Sequence, residues 1–546
     1  MCIEGSFKYY FRCQAKRILT QLDRDPDSPT YGCFDRNYWH YKIRDFPSGI
    51  LQQGLFVLEY LRKYDDEKLI SKDTAYAWSL AAINAFSAQV RKGGKVDEYF
   101  PWEDSYPAAA FGIYSVCKVL YDWQTNEPHL LKGVHWENIQ NLVTHLAKKD
   151  EQQAANQYAA AVAGLAIASK LENIVLDVTT VEKHFNSLLK LQDDEGWFYE
   201  YGGPDFGYLS VTIDALWDYY EVTNDERAKG AIKKAVNFIA SLVGVDNQLP
   251  WTLNARNTDY LVPYGLVNFA ENDSSASWLV NKLFDNVDDP NHWIWSTDDR
   301  YHLHYIFSSL VRAIPFLNKM TEPFFPTTDS ILYLPSCGFW KKSLPSLNRT
   351  IYIALKKGGL IRVHSNESGL TLCDNGWRLY TKNKIFTSNW WESNNKPSVA
   401  DSKITLETNL VSTKYHVSKP VYHIALRCLS LVLGKRVTFV LKKMMIFRSS
   451  QAKAPHYSRE IRLDESSSKI FITDTFFSPF KLFVKRSPRQ NLRHVASADS
   501  FHKEENLFYS YESFSEKVAP NKKVSVKSSI DLIENKFVSI ESHSDD

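Results

Sequence analysis

The sequence predicts an α+β multidomain chain in which a helical N-terminal region precedes an antiparallel β region. Two observations carry this. From about residue 48 to 316, apolar residues recur at three- and four-residue steps, the period of a helix with one buried face. Beyond about residue 330, β-branched and aromatic residues alternate with polar ones, the period of a half-buried strand. A chain of 546 residues exceeds what one hydrophobic core holds, so two or more domains are expected. The boundary falls at "TEPFFPTTDS" (321–330), where Pro323 and Pro326 break any helix. The expected domains are therefore 1–320, helical and carrying the cleft, a linker at 321–330, and 331–546, an antiparallel β-sandwich.

In chain order, helices are expected over 48–64, 73–91, 106–122, 135–149, 152–170, 180–192, 207–221, 227–243, 258–270 and 299–316. The intervening loops carry turn residues, as in "TNEP" and "GGPD". Successive helix pairs without a strict repeat suggest a toroid or solenoid. Strands are expected in "ILYLPSCGFWKK", "RTIYIALKKGG", "GLTLCDNGWRLYT", "SKITLETNLVSTKYHV", "RVTFVLKKMMIFR" and "SSKIFITDTFFS", with a hairpin over 460–475 and a frayed end at "ESHSDD".

Bulk properties narrow the function. Net charge is +2, so no overall field draws the chain to nucleic acid or an anionic membrane. The longest uncharged apolar run, 159–169, is far shorter than the ~20 residues that span a bilayer. The N-terminus has no apolar signal-peptide core. Seven scattered cysteines with no CxxC suit free thiols in a reducing compartment, and a cytoplasmic location is expected. Aromatic residues reach 14%, which fits both carbohydrate-binding clefts and large cores.

Three stretches can carry chemistry. "EQQAANQYAAAVAGLAIASK" (151–170) sets Asn156 and Gln157 at the head of a small-residue helix, where Asn156 either caps the helix or offers its amide to a cleft. "DDEGWFYEYGGPDFGYLSVTIDAL" (193–216) sets Tyr208 at a helix start behind a Gly-Gly-Pro break, with Tyr199, Tyr201 and Phe206 as groove walls or packing. "GGLIRVHSNESGLTLCDNGWRLY" (358–380) places His364 at a strand end, as a structural or a catalytic histidine. "NARNTDYLVPYGL" adds Arg256, Tyr260 and Tyr264, Arg256 being suited to bidentate carboxylate binding or to an ion pair with Asp259. "YGCFDRNYWHYKIRDFPSG" adds Trp39 in a dense patch that walls the cleft or packs as an N-terminal arm. His302 and His304, two apart, have poor spacing for a shared metal.

Taken together, these stretches resemble the heparinase II/III-type polysaccharide lyases and their alginate-lyase relatives. That family has an N-terminal (α/α) toroid followed by antiparallel β-sheets, an Asn or His at a mid-toroid helix head, and a Gly-rich loop with a catalytic Tyr some fifty residues later. A His early in the β domain precedes a strand pair. Here Asn156 and Tyr208 lie 52 residues apart, and His364 precedes "GLTLCDNGWRL". The chain departs from the pattern at Gln157, where His is common, and at Arg362, His364, Asn366 and Tyr380, where the family often has His-x-His-x-Asp and a later Asp. The resemblance therefore implies no metal and no cofactor.

What the resemblance implies is β-elimination on a uronate-containing glycan. Asn156, with Gln157 or Arg256, neutralises the uronate carboxylate so that charge can develop as C5 loses its proton. Tyr208 takes that proton and protonates the leaving O4. A tyrosine's ordinary pKa near ~10 needs a nearby cation for this role, and His364 is the implied group or the base itself. Tyr201, Tyr260, Tyr264 and Trp39 are the implied substrate contacts. The expected partner is an acidic poly- or oligosaccharide, with neither nucleic acid nor membrane. Three alternatives stay open: an (α/α)-barrel glycoside hydrolase using two of Asp193, Asp194, Asp205 and Asp214, a uronyl epimerase, and an inactive glycan-binding scaffold.

Overall fold

The computed structural model describes residues 2–65, 68–296, 302–325, 330–365, 367–392, 395–400, 403–413, 419–434, 436–437, 454–488 and 515–544. Its N-terminal region is helical. α1 (Ile3–Leu19), α2 (Arg36–Trp39), α3 (Leu55–Tyr64), α4 (Lys72–Gln89), α5 (Tyr106–Asn126) and α6 (Trp136–Leu146) lead to α7 (Ala155–Ala168). α8 (Val178–Leu189), α9 (Phe206–Thr223), α10 (Glu226–Leu242), α11 (Tyr264–Phe269), α12 (Ser274–Leu283) and α13 (Phe307–Ala313) follow. Three central helices, α5, α7 and α9, pack side by side. Small residues permit this: a Cβ on Gly164 of α7 would lie 3.0 Å from Ile113 and Tyr114 of α5. Side chains buried on every side of α7 explain why its sequence is apolar all round.

The C-terminal region holds three antiparallel sheets. The first is a meander, β1 (Ile331–Leu334), β2 (Phe339–Leu344), β3 (Arg349–Ala354), β4 (Leu360–Ser365) and β5 (Gly369–Asp374). The remaining strands are β6 (Trp377–Tyr380), β7 (Ile385–Thr387), β8 (Ser398–Ala400), β9 (Lys403–Asn409), β10 (Val411–Thr413), β11 (His456–Asp464), β12 (Lys469–Phe477), β13 (Leu482–Arg486), β14 (Ser515–Val518), β15 (Lys523–Asp531) and β16 (Lys536–Ser544). The second sheet runs β10-β7-β6-β13-β14 and the third β16-β15-β12-β11-β9-β8.

Strand alternation makes the first sheet two-faced. Phe339, Tyr352, Ala354 and Leu360 join the core of the helical region, whereas Trp340, Ile351, Ile353 and Ile361 join a second core shared with the other two sheets. One sheet thus couples the two halves.

Several expectations change. α1, α12 and α14 (Pro420–Leu433) were not predicted, and α14 lies inside the supposed all-β region. The helix expected over 258–270 begins only at Tyr264: residues 254–263 hold no helix, and the Pro263 ring disfavours helix at Val262. The start of the predicted helix 299–316 lies outside the described residues; its remainder is a π-helical turn, His302–Ile306, followed by α13. "ESHSDD" is not frayed through Ser544, which ends β16. Of the strand expected over 436–448, only Arg436 and Val437 are described, and both are helical. Part of 321–330 docks on the helices: the Thr321 and Phe324 amides donate to the Ala270 and Ser274 carbonyls, and Phe325 stacks on Trp278. Residues 326–329 and Asn366 lie outside the described residues.

Candidate functional site

Three chain segments converge beside the first sheet. The head of α7 pairs with residues 199–203: the Ala155 amide donates to the Tyr199 carbonyl at 3.2 Å and the Tyr201 amide to the Gln153 carbonyl at 2.7 Å. The irregular 250–262 segment joins through the Ala255 amide, which donates to the Pro204 carbonyl at 2.8 Å. Lys357, after β3, donates to the Thr252 and Asn254 carbonyls and to Asn257. Trp391 covers the glycine break, its indole N–H donating to the Gly202 carbonyl at 3.0 Å.

Within this junction four predicted residues meet. Asn156 is the second residue of α7 and is buried; Ala154, not Asn156, is the N-cap. Both its backbone N–H and its Nδ2 donate to Glu200 Oε1, at 2.6 and 2.8 Å. Gln157 Nε2 donates to the Tyr201 hydroxyl at 3.0 Å. The Tyr201 backbone is left-handed, with φ of 51°, a strained conformation for a bulky residue. Its ring lies under the Arg256 guanidinium, 4.4 Å from centroid to Cζ.

Arg256 is buried, and its Nε and Nη1 are buried without a hydrogen-bond acceptor in the protein. Glu200 Oε2 and Gln157 Oε1 are likewise buried without a donor. A buried guanidinium normally finds carboxylate or carbonyl partners, so this clustering of unmatched donors and acceptors is unusual.

Two carboxyl groups share the neighbourhood. Burial pushes the Glu200 carboxyl well above the usual range; the Asn156 hydrogen bonds and the Arg256 charge counter this only in part. Burial also raises Asp205, to about 6, against the pull of Thr258, the Tyr208 amide and Arg256. Asp205 is the N-cap of α9: its Oδ1 accepts from the Tyr208 amide at 3.2 Å and from the Thr258 hydroxyl. Tyr208 thus sits in the first turn of α9, half-buried, directly beyond Asp205.

The other predicted residues stand elsewhere. His364 is buried in β4, where the pairing with β5 shifts register, and its Nδ1 lies 2.6 Å from Asp246 Oδ2 with the Tyr352 ring edge-on. Tyr260 is buried in the same 250–262 segment, its carbonyl close against Gly207. Tyr264 belongs to another buried network: its hydroxyl donates to Asp218, and Arg312 stacks on its ring at 3.6 Å. Asp218 lies ten residues along α9 from Tyr208, about 15 Å at helical rise. Trp39 is half-buried, its indole N–H bonded to the Gln21 carbonyl and its ring beneath Arg36.

Among the alternative carboxylates, Asp193 accepts from the Ser336 hydroxyl, while the neighbouring Glu195 accepts from the Ser336 and Cys337 amides, clamping the aromatic loop to the sheet. Asp214 accepts from Ser309 and the Gly265 amide, tying three helices together. Among the described residues no group of three metal-ligating side chains occurs, and the cysteines are free. No described helix is long and apolar enough to cross a membrane.

Sequence reasoning passed over Glu200. Its signal was adjacency to Tyr201 in "YEYGG"; its burial against Asn156, 44 residues earlier in the chain, is a tertiary fact.

No protein-family model matches the sequence, and no curated protein matches it. Among solved structures, chondroitinase AC lyase is similar over 100% of this chain and 79% of its own, at 10% identity and a TM-score of 0.44. An unsaturated glucuronyl hydrolase specific for heparin is similar over 58% of this chain and 98% of its own, at 13% identity and a TM-score of 0.37. A polysaccharide lyase is similar over 57% of this chain and 99% of its own, at 9% identity and a TM-score of 0.34. Likenesses this distant assign neither fold family nor activity.

Proposed function

We propose that the chain is a polysaccharide lyase that cleaves a uronate-containing glycan by β-elimination, built as a heparinase II/III-like (α/α) toroid with a β-sandwich. The observation that carries this reading is Arg256, a buried guanidinium stacked on Tyr201 with two N–H-bearing nitrogens lacking protein acceptors. A substrate carboxylate accepting from one of these nitrogens would be held by a charge-assisted hydrogen bond.

With a uronate carboxylate on Arg256, the C5 proton becomes acidic because the developing enediolate is stabilised by fixed positive charge. Gln157 adds an amide, and the Glu200 carboxyl, whose proton affinity burial raises, keeps its Oε2 without a protein partner. Asn156 fixes Glu200 through two hydrogen bonds and so acts behind it. Tyr208, as phenolate, takes the C5 proton; the C4–O4 bond breaks as C4=C5 forms, and the phenol returns the proton to O4. His364 is engaged by Asp246 and is not taken as the cation for this step. His364 then holds the sheet against the helical region and Tyr260 backs the start of α9 at Gly207, while Tyr264 and Trp39 belong to other contacts.

A second reading has its own support. Glu200 and Asp205 are carboxyls whose environments separate their proton affinities, the arrangement of a general acid with a base. Both readings are tested by incubating the protein with uronate polysaccharides while following ultraviolet absorbance and reducing ends. Elimination gives both signals, and Tyr208→Phe abolishes them. Reducing ends without absorbance establish hydrolysis, and a wild-type rate in Tyr208→Phe removes the lyase mechanism.

A further inference from the structure

The junction around Arg256 presents acceptors as well as donors. Arg256 Nε and Nη1 are buried without a protein acceptor, and Gln157 Oε1 and Glu200 Oε2 are buried without a protein donor. A carboxylate oxygen can only accept. A substrate carboxylate on Arg256 therefore leaves Gln157 and Glu200 unmatched, and a buried acceptor without a partner is costly.

Each acceptor is fixed through its other end. Gln157 Nε2 donates to the Tyr201 hydroxyl at 3.0 Å, which leaves Oε1 as the presented end of the amide. Glu200 Oε1 accepts from the Asn156 backbone N–H at 2.6 Å and from Asn156 Nδ2 at 2.8 Å, which leaves Oε2. Tyr201 joins these acceptors to the cation: it follows Glu200 in the chain, its hydroxyl holds Gln157, and its ring lies 4.4 Å from Arg256 Cζ. Groups held this way lose little freedom when a ligand arrives.

The free ends define the missing group. Gln157 Oε1 requires a donor. Glu200 Oε2 accepts when ionised and donates when protonated, and burial raises its proton affinity. A hydroxyl both donates and accepts, so it satisfies Gln157 and either form of Glu200. A sulfate ester or a second carboxylate satisfies neither Gln157 nor ionised Glu200. We infer that Gln157 and Glu200 are specificity-determining residues that read a free ring hydroxyl of the uronate whose carboxylate Arg256 receives. This rests on the proposed lyase reading. In a uronate linked through O4, the ring hydroxyls left to serve are those at C2 and C3. A sugar lacking that hydroxyl leaves two buried groups unpaired and is rejected for that reason.

The test compares kcat/KM for a synthetic oligosaccharide with one 4-linked uronate against its 2-deoxy and 3-deoxy counterparts, in the full-length wild type and in Gln157→Met. Neither deoxygenation touches the C4–O4 bond or the C5 proton. The wild type is expected to prefer the parent over at least one deoxy sugar by about 10²-fold, and Gln157→Met to lower that preference by about 10-fold. A side chain that only supported the fold would slow all three sugars alike. The inference is overturned if the wild type eliminates all three equally, the result expected if a structural water occupies the free ends; the lyase reading survives that result. It is also overturned if Gln157→Met keeps the wild-type preference. Elimination from none of the three removes the lyase reading and this inference together. Should Gln157→Met fail to fold, as a lowered melting temperature would show, the wild-type preference decides alone.

Discussion

At the scale of single residues, Arg256 is proposed to act as a receptor and not as a strut. A strut would have its nitrogens satisfied by the protein; Nε and Nη1 are not. Arg256→Lys keeps the charge and loses the planar fork, and is expected to lower kcat/KM by about 10²-fold or more with little change in melting temperature. Glu200→Gln keeps the shape and the Asn156 contacts while removing the acidic proton, so the rate should fall while the fold survives; unchanged kinetics would exclude Glu200 from the chemistry. The sequence offered Asn156, Gln157, Tyr201 and Arg256 as separate candidates, and their convergence from segments a hundred residues apart could not be read there. It offered Tyr264 and His364 equally well. Nothing local told that Tyr264 is committed to Asp218 and Arg312, or His364 to Asp246.

At the scale of elements, the aromatic loop 193–208 is a joint before it is a cleft wall. Asp193 and Glu195 grip the turn at 336–337, Trp391 closes over the glycines, and Asp205 caps α9. A Cβ on Gly203 would lie 2.4 Å from the Trp391 ring. Gly203→Ala should therefore displace Trp391 and cost about 1–3 kcal/mol, seen as a lower midpoint in urea unfolding; an unchanged midpoint would show that the ring yields freely. Helices with a clear 3.6-residue stripe were legible, as α8 and α10 show. α14 was not, because an apolar stretch with no single buried face carries no helical stripe and reads equally as strand. The late start of α11 follows from Pro263, whose ring disfavours helix in the residue before it.

At the scale of the whole molecule, several buried carboxyls give stability a pH dependence. Burial raises Glu103 to about 8 and Asp214 to about 7. In the unfolded chain both are ionised above pH ~4.5, so between pH 6.5 and 8 the native state binds more protons. Stability must then fall as pH rises through this window. The buried His292 and His302, lowered to about 4, are neutral in the native state, and loss of their protons in the unfolded chain offsets part of the decline near pH 6.5. Urea midpoints should decline from pH 6.5 to 8, and Glu103→Gln should flatten the decline; a rising midpoint would contradict the assignment. The division of the chain near residue 320 was legible from the change of hydrophobic period. The joining of its halves was not, since it uses scattered polar pairs such as Lys357 with Asn257 and Arg362 with Thr252.

These scales meet in one claim, that the junction of helices and sheet receives a glycan carboxylate on Arg256. The most direct measurement compares kcat/KM for a uronate oligosaccharide with that for its carboxyl-reduced counterpart, in the wild type and in Arg256→Lys. The wild type is expected to prefer the uronate by about 10²-fold or more, and most of this preference is expected to disappear in the variant. An equal preference in both proteins, or none in the wild type, would contradict it.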